Sequence, residues 1–159
     1  MLRKDRPIIA AGRPSHSQLA KLPEWPVRTI AVLCTMDGGP HAIPVAAPLR
    51  AGDLRILVSL EHTRGSLARL RENPQVALAI LSVGNVAFTA LGRARIVRES
   101  MPEALDFVAV EIHVEKIDDH RSSGVAVESG VKVHFTDEAD LALQKRIDTL
   151  QELSEPKAQ

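Results

Sequence analysis

Hydrophobic and polar positions along this chain follow two different periods, and the switches between them mark the elements. From Thr29 the run TIAVLCTM is apolar on nearly both faces, the pattern of a strand covered on both sides. Asp37-Gly38, with Gly39 and Pro40 following, supplies the positive φ angles of a tight hairpin, so the segment from His41 to Leu49 returns alongside. Pro44 and Pro48 each remove a ladder donor, which confines this strand to an edge, a bulge or a bent rim. Ala51-Gly52-Asp53 forms the next turn, and Leu54, Ile56, Val58 and Leu60 fill one face of a third strand. After Thr63 the period lengthens to that of a helix. Leu67 and Leu70 face inward, Arg64, Arg69 and Arg71 stay in water, and Asn73-Pro74 ends the helix because a residue before proline avoids the α region.

Val76 to Val83 and Val86 to Arg98 then pair across Gly84-Asn85, and Gly92 in the longer strand predicts a bend of the sort barrel corners require. Ser100 and Pro102 open a short helix over MPEALDF. Val108, Val110, Ile112 and Val114 alternate with polar or small residues as a half-exposed strand. A polar loop follows from Asp118 to Gly124. Two short strands, Val125 to Glu128 and Val131 to Phe135, close the sheet, and Thr136 caps a last helix with Leu143, Ile147 and Leu150 on one side. Upstream of all this, the first 27 residues hold four of the ten prolines and read as an arm with one short helix, SHSQLAKL, capped by Ser15 and stopped by Pro23. The fold class is therefore mainly β, a small barrel with a few helices. At 159 residues the chain fits one domain, with the arm at 1–27, the barrel at 28–135 and the C-terminal helix at 136–153.

Composition narrows the chemistry. Twenty basic residues balance twenty acidic ones, so no global field draws nucleic acid or an anionic membrane, and an anion site has to be built locally. Three Phe, one Trp and no Tyr argue against a stacking surface for single-stranded nucleic acid, and place Trp25 and Phe88 in the core or a dimer interface. The single cysteine, Cys34, lies in an apolar run as a buried thiol, which together with the lack of an apolar signal core in MLRKDRPIIAAGRP points to the cytoplasm. No run approaches the roughly 18 apolar residues of a membrane helix. His113, His120 and His134 with Asp118 and Asp119 lack ligand spacing, so no metal is expected. No glycine-rich phosphate loop or nucleophile elbow occurs, and no catalytic residue is assigned.

One place in the chain suits an anion. A helix beginning at Thr63 or Arg64 aims free backbone N–H groups and a positive dipole end beyond the third strand, and Thr63, Arg64 and Ser66 add donors there. The plainer alternative makes Thr63 an N-cap and Arg64, Arg69 and Arg71 a solvated helix face.

The segments TIAVLCTMDGGPHAIPV, RLRENPQVALAIL and VAFTALGRARIV, in that order, resemble the pyridoxamine 5'-phosphate oxidase-like family of FMN-binding split β-barrels, over roughly Val27 to Glu115. The resemblance implies an FMN-dependent oxidoreductase acting on a small molecule, and a homodimer with its cofactor sites at the interface. It places Ile43, Val45 and Ser59 beside the flavin ring and ribityl chain, with Thr63, Arg64, Ser66 and neighbouring Arg69 around the phosphate. It also marks departures. Where the vitamin-forming oxidases are basic, this chain has Ile43, Pro48 and Ser66. Each lost charge-assisted contact is worth about 1.5 to 3 kcal/mol in a phosphate site. The vitamin-forming reaction is thus not expected. The alternatives are a protein binding flavin, deazaflavin or haem without FMN redox turnover, or a dimeric barrel that has lost its cofactor.

Overall fold

The computed structural model describes residues 17–157. Its strands are β1 (Ile30–Met36), β2 (Pro40–Ala46), β3 (Leu49–Gly52), β4 (Arg55–Glu61), β5 (Gln75–Ser82), β6 (Val86–Arg98) and β7 (Phe107–Asp119). Helix α1 (Gly65–Glu72) follows β4, and α2 (Asp137–Ser154) follows β7. The seven strands form one sheet in the order β2-β1-β5-β6-β7-β4-β3, antiparallel at every pairing.

The two ends of that order explain the barrel. β2 and β3 are consecutive in the chain yet lie at opposite edges of the sheet, so the sheet must curl until its edges approach. The expected strand from His41 to Leu49 is divided at this point. Ala47 takes a φ of 54°, buried and bonded through its N–H to the Thr29 carbonyl at 2.9 Å, and Pro48 cannot donate to a ladder. Pro44 sits in an edge strand, where its missing donor faces no neighbour.

The interior is filled from alternate positions. Ala31, Leu33, Leu78, Ile80, Phe88, Ile56, Ile112 and Ile117 are almost wholly buried. Trp25 stands against Phe88 with ring centres 5.5 Å apart and gives its indole N–H to the Pro48 carbonyl at 2.8 Å. Gly92 marks the predicted bend. The β6–β7 register shifts there, and a Cβ would collide with the His113 carbonyl, so close backbone approach requires glycine. Gly84 (φ 82°) and Asn85 (φ 57°) make the β5–β6 turn, both in the left-handed region a tight hairpin needs.

Three local expectations fail. Residues 17–22, within the expected SHSQLAKL helix, run extended along the end of β7, with Leu19 N–H on the Ile117 carbonyl at 3.0 Å and Asp119 N–H on the Ser17 carbonyl at 2.7 Å. Ser15 and His16 lie outside the described residues. The segment MPEALDF forms turns, because wholly buried Met101 pins it against Leu57, Ala109 and Leu150, and Glu103 takes a φ of 57°. Packing outweighs a weak helix preference there. Val125 to Glu128 and Val131 to Phe135 join no ladder. Their anchor is the Asn85 side chain, which accepts the Val127 N–H at 2.9 Å.

Helix α2 covers the outer side of β3 and β4. Thr136 caps it by accepting the Ala139 N–H, Asp137, Glu138 and Asp140 sit at its positive end, and Leu143, Ile147 and Leu150 are buried. Among the described residues, nothing covers the outer face of β1 and β5 in this way. Val32, Met36 and Leu81 are each more than 40% exposed, so within the described residues of one chain this apolar strand is covered on one side.

Candidate functional site

The end of β4 and the start of α1 meet the returning strand β2, as the order of elements requires. Glu61 closes β4, its carbonyl accepts the Arg64 N–H at 3.1 Å, and Arg64 is the residue before the first helical turn. It contributes no side-chain cap, and α1 carries no acidic residue in its first turn. Thr63, one of the two expected helix starts, lies one residue before the cap and is exposed.

Arg69 reverses its expected position. Its side chain does not point into water but folds back over the first turn of α1. Nε donates to Thr35 Oγ1 at 3.0 Å, one terminal nitrogen donates to Ser66 Oγ at 3.4 Å, and the other stands 2.9 Å from where a Cβ on Gly65 would lie. Thr35 and Ser66 are each 1% exposed. Both partners are neutral hydroxyls, and Arg69 joins none of the ion pairs among the described residues. A fixed cation therefore rests on the positive end of a helix without a counter-charge. Alone, that is unfavourable by about 0.3 to 1 kcal/mol, and a bound anion reverses the sign.

Beside this turn lies a cleft of about 240 Å³ lined by Ile43 to Ala46, Ser59 to Glu61, Arg64, Phe107 and Arg146. Four of the expected residues, Ile43, Val45, Ser59 and Arg64, thus share one hollow. Ile43 and Val45 contribute backbone, since Val45 is buried in the barrel core and Ile43 packs against it. Arg64 pairs with Glu61 at 3.3 Å, both sides well exposed.

Sequence reasoning missed three participants. Thr35 was indistinguishable from its core-strand neighbours. Phe107 and Arg146 face each other, with the guanidinium carbon 3.9 Å from the ring centre. Arg146 had a readable signal, since it falls on the stripe of Leu143, Ile147 and Leu150 where an apolar residue is expected. Burial pushes its pKa down, partly opposed by the charge of Glu61. Among the described residues no three His, Cys, Asp or Glu side chains gather as a metal site, and no helix is long and apolar enough to cross a membrane.

No protein-family profile matches the chain, and no curated protein matches it by sequence. Solved structures do. A Lactobacillus delbrueckii protein assigned as a pyridoxamine 5'-phosphate oxidase superposes with a TM-score of 0.52 at 19% identity, over 63% of this chain and 97% of that one. HupZ of Group A Streptococcus gives 0.51 at 15% identity, over 65% and 90%, and an F420 reductase gives 0.51 at 13%, over 58% and 91%. The chain has the split-barrel fold of the pyridoxamine 5'-phosphate oxidase-like proteins.

Proposed function

We propose that this protein is a flavin-binding oxidoreductase of the split-barrel type, a homodimer that holds FMN and acts on a small molecule. The observation that carries the reading is Arg69, a guanidinium fixed over the start of α1 by Thr35 and Ser66 with no carboxylate partner among the described residues. A phosphate monoester supplies the missing charge. Its oxygens would be received by Arg69 and the free amides of the first turn, with Arg64 and Thr63 at the rim, while buried Ser66 supports Arg69 from beneath. The cofactor's ring would lie along the Ile43–Ala46 backbone and Ser59.

A bound flavin supplies hydride or electron transfer at its ring, so the chain needs no catalytic acid or base of its own. The work left to its residues is binding, ring orientation and exclusion of water. Ile43 and Pro48 offer no charge where the vitamin-forming oxidases are basic, which favours a different substrate. A deazaflavin is the second reading, supported by the likeness in fold to the F420 reductase.

The open outer face of the sheet supports the dimer. Exposed Val32, Met36 and Leu81, with a hollow of about 450 Å³ lined by Cys34, Met36, Ala77 and Leu91, form an apolar surface that a second copy would cover. The lone thiol of Cys34 fits a reducing, cytoplasmic setting.

Titration of the purified protein with FMN, read by flavin fluorescence, tests the reading together with light scattering on the eluting species. Saturable micromolar or tighter binding to a dimer is expected. Preferential binding of F420 moves the assignment to the deazaflavin, and a Soret band moves it to haem. Colourless protein whose melting point is unmoved by all three overturns it.

A further inference from the structure

Arg146 sits where its own chemistry makes it unwelcome. It lies three residues after Leu143 and four before Leu150, on the side of α2 that packs against the barrel. Its Nε is buried and has no hydrogen-bond partner among the described residues. The side chain joins none of the ion pairs there, since Glu61, which shares the cleft, is paired with Arg64. An arginine cannot shed its proton to escape this, and a buried donor left unmet is destabilising. What holds the group in place is Phe107, whose ring lies under the guanidinium at 3.9 Å. The stacked ring fixes the plane of the fork, so its donors are oriented before any ligand arrives.

The rest of the cleft is chemically uneven. Its lining includes the Ile43 to Ala46 segment, Ser59 and the Glu61–Arg64 pair, with Phe107 and Arg146. A ligand filling this space meets mostly apolar side chains and backbone, and an acceptor on it would meet the unpaired donors of Arg146.

We propose that Arg146 anchors the oxyanion of a largely apolar organic anion bound in the cleft between β2, β4 and α2. The inference rests on the proposed function only in treating this cleft as a ligand site. Two sources share the chemistry: a carboxylate on the substrate, or negative charge on the ring of the cofactor.

Benzoate is a suitable probe, with benzyl alcohol as its neutral counterpart, each titrated into the full chain by calorimetry and saturation-transfer NMR. Benzoate is expected to bind at least tenfold more tightly than benzyl alcohol. R146M, which keeps the packing on Phe107 and removes the charge, loses that preference, whereas R146K keeps part of it. Melting curves accompany both variants, and R146Q replaces R146M if the latter does not fold. A merely structural arginine would alter the melting point without altering the preference between charged and neutral probes. Titrating FMN into R146M separates the sources: FMN affinity weakened with the loss of the benzoate preference assigns the anion to the cofactor ring, and unchanged FMN affinity assigns it to a substrate. Loss of FMN binding alone, with the benzoate preference intact, removes the cofactor reading and leaves this one standing. Absence of benzoate binding, or equal benzoate binding by wild type and R146M, overturns it.

Discussion

Arginines do opposite work at two places in this barrel. On the outer face of β7, Glu111 receives Arg95 Nε at 2.9 Å and Arg55 Nε at 2.5 Å, and Arg55 also donates to the Leu153 and Ser154 carbonyls at the end of α2. Every charge there has its partner inside the chain, and the cluster ties β4, β6, β7 and α2 together. At the start of α1 Arg69 rests on two hydroxyls, and in the adjacent cleft Arg146 rests on an aromatic ring, with no carboxylate among the described residues paired to either. Paired cations hold a fold together, and unpaired ones held in fixed geometry are receptive to ligand.

The sharpest way to break this contrast is Arg69→Ala. FMN affinity is expected to fall by about 2 to 3 kcal/mol, at least thirtyfold by fluorescence titration, with little change in melting temperature. The same truncation at exposed Arg64 should cost only a few-fold. Equal losses at the two positions would place the phosphate elsewhere.

Glu111→Gln probes the paired side. It leaves Arg55 and Arg95 without their anion and is expected to lower unfolding stability by about 1.5 kcal/mol at neutral pH, with FMN affinity unchanged. Burial raises the Glu111 pKa, but hydrogen bonds and charge from Arg55 and Arg95 outweigh it and hold the carboxyl below its ordinary 4.5. A depressed acid contributes stability above its unfolded pKa and loses it as pH falls through the folded one. Asp119, held at about 2 by its hydrogen bonds to Arg121, acts in the same direction. Wild type should therefore lose stability steadily as pH falls from about 4.5 toward 2, and the Gln variant should lose less over that range. A parallel pair of curves would show that Glu111 is not linked to folding.

Gly65→Ala gives the smallest and most discriminating effect. Alanine is the better helix former by up to about 1 kcal/mol, so stability should hold or rise slightly. Its Cβ would stand 2.9 Å from the Arg69 guanidinium and displace it, weakening FMN several-fold. Unchanged affinity would show that the position of Arg69 over the turn is unimportant.

The strands were legible because burial on one face writes a period of two into the residues, and turns demand particular chemistry. Thr29 to Met36, the Gly84-Asn85 turn and the Gly92 bend all follow from such local rules. The helix expected over MPEALDF failed where a single long-range contact, the burial of Met101, outweighed local preference. The stretch from Val125 to Phe135 alternates like a strand yet joins no ladder, because pairing needs a free edge in register and not only a suitable pattern.

The site divides along the same line. Thr63, Arg64 and Ser66 could be proposed from the chain, since a helix start after a strand is a local feature, whereas Ile43, Val45 and Ser59 were expected only from the resemblance to split barrels and Arg69 only as their neighbour. Which cations stay unpaired could not be read from the chain. That Arg69 reaches Thr35, 34 residues away, and that Arg55 reaches Glu111, 56 residues away, depends on how the sheet curls and where α2 lands. Local patterning specifies where elements begin, turn and end. The pairing of charges depends on packing between distant segments, and that pairing separates the residues that support the barrel from those that the proposed function assigns to a ligand.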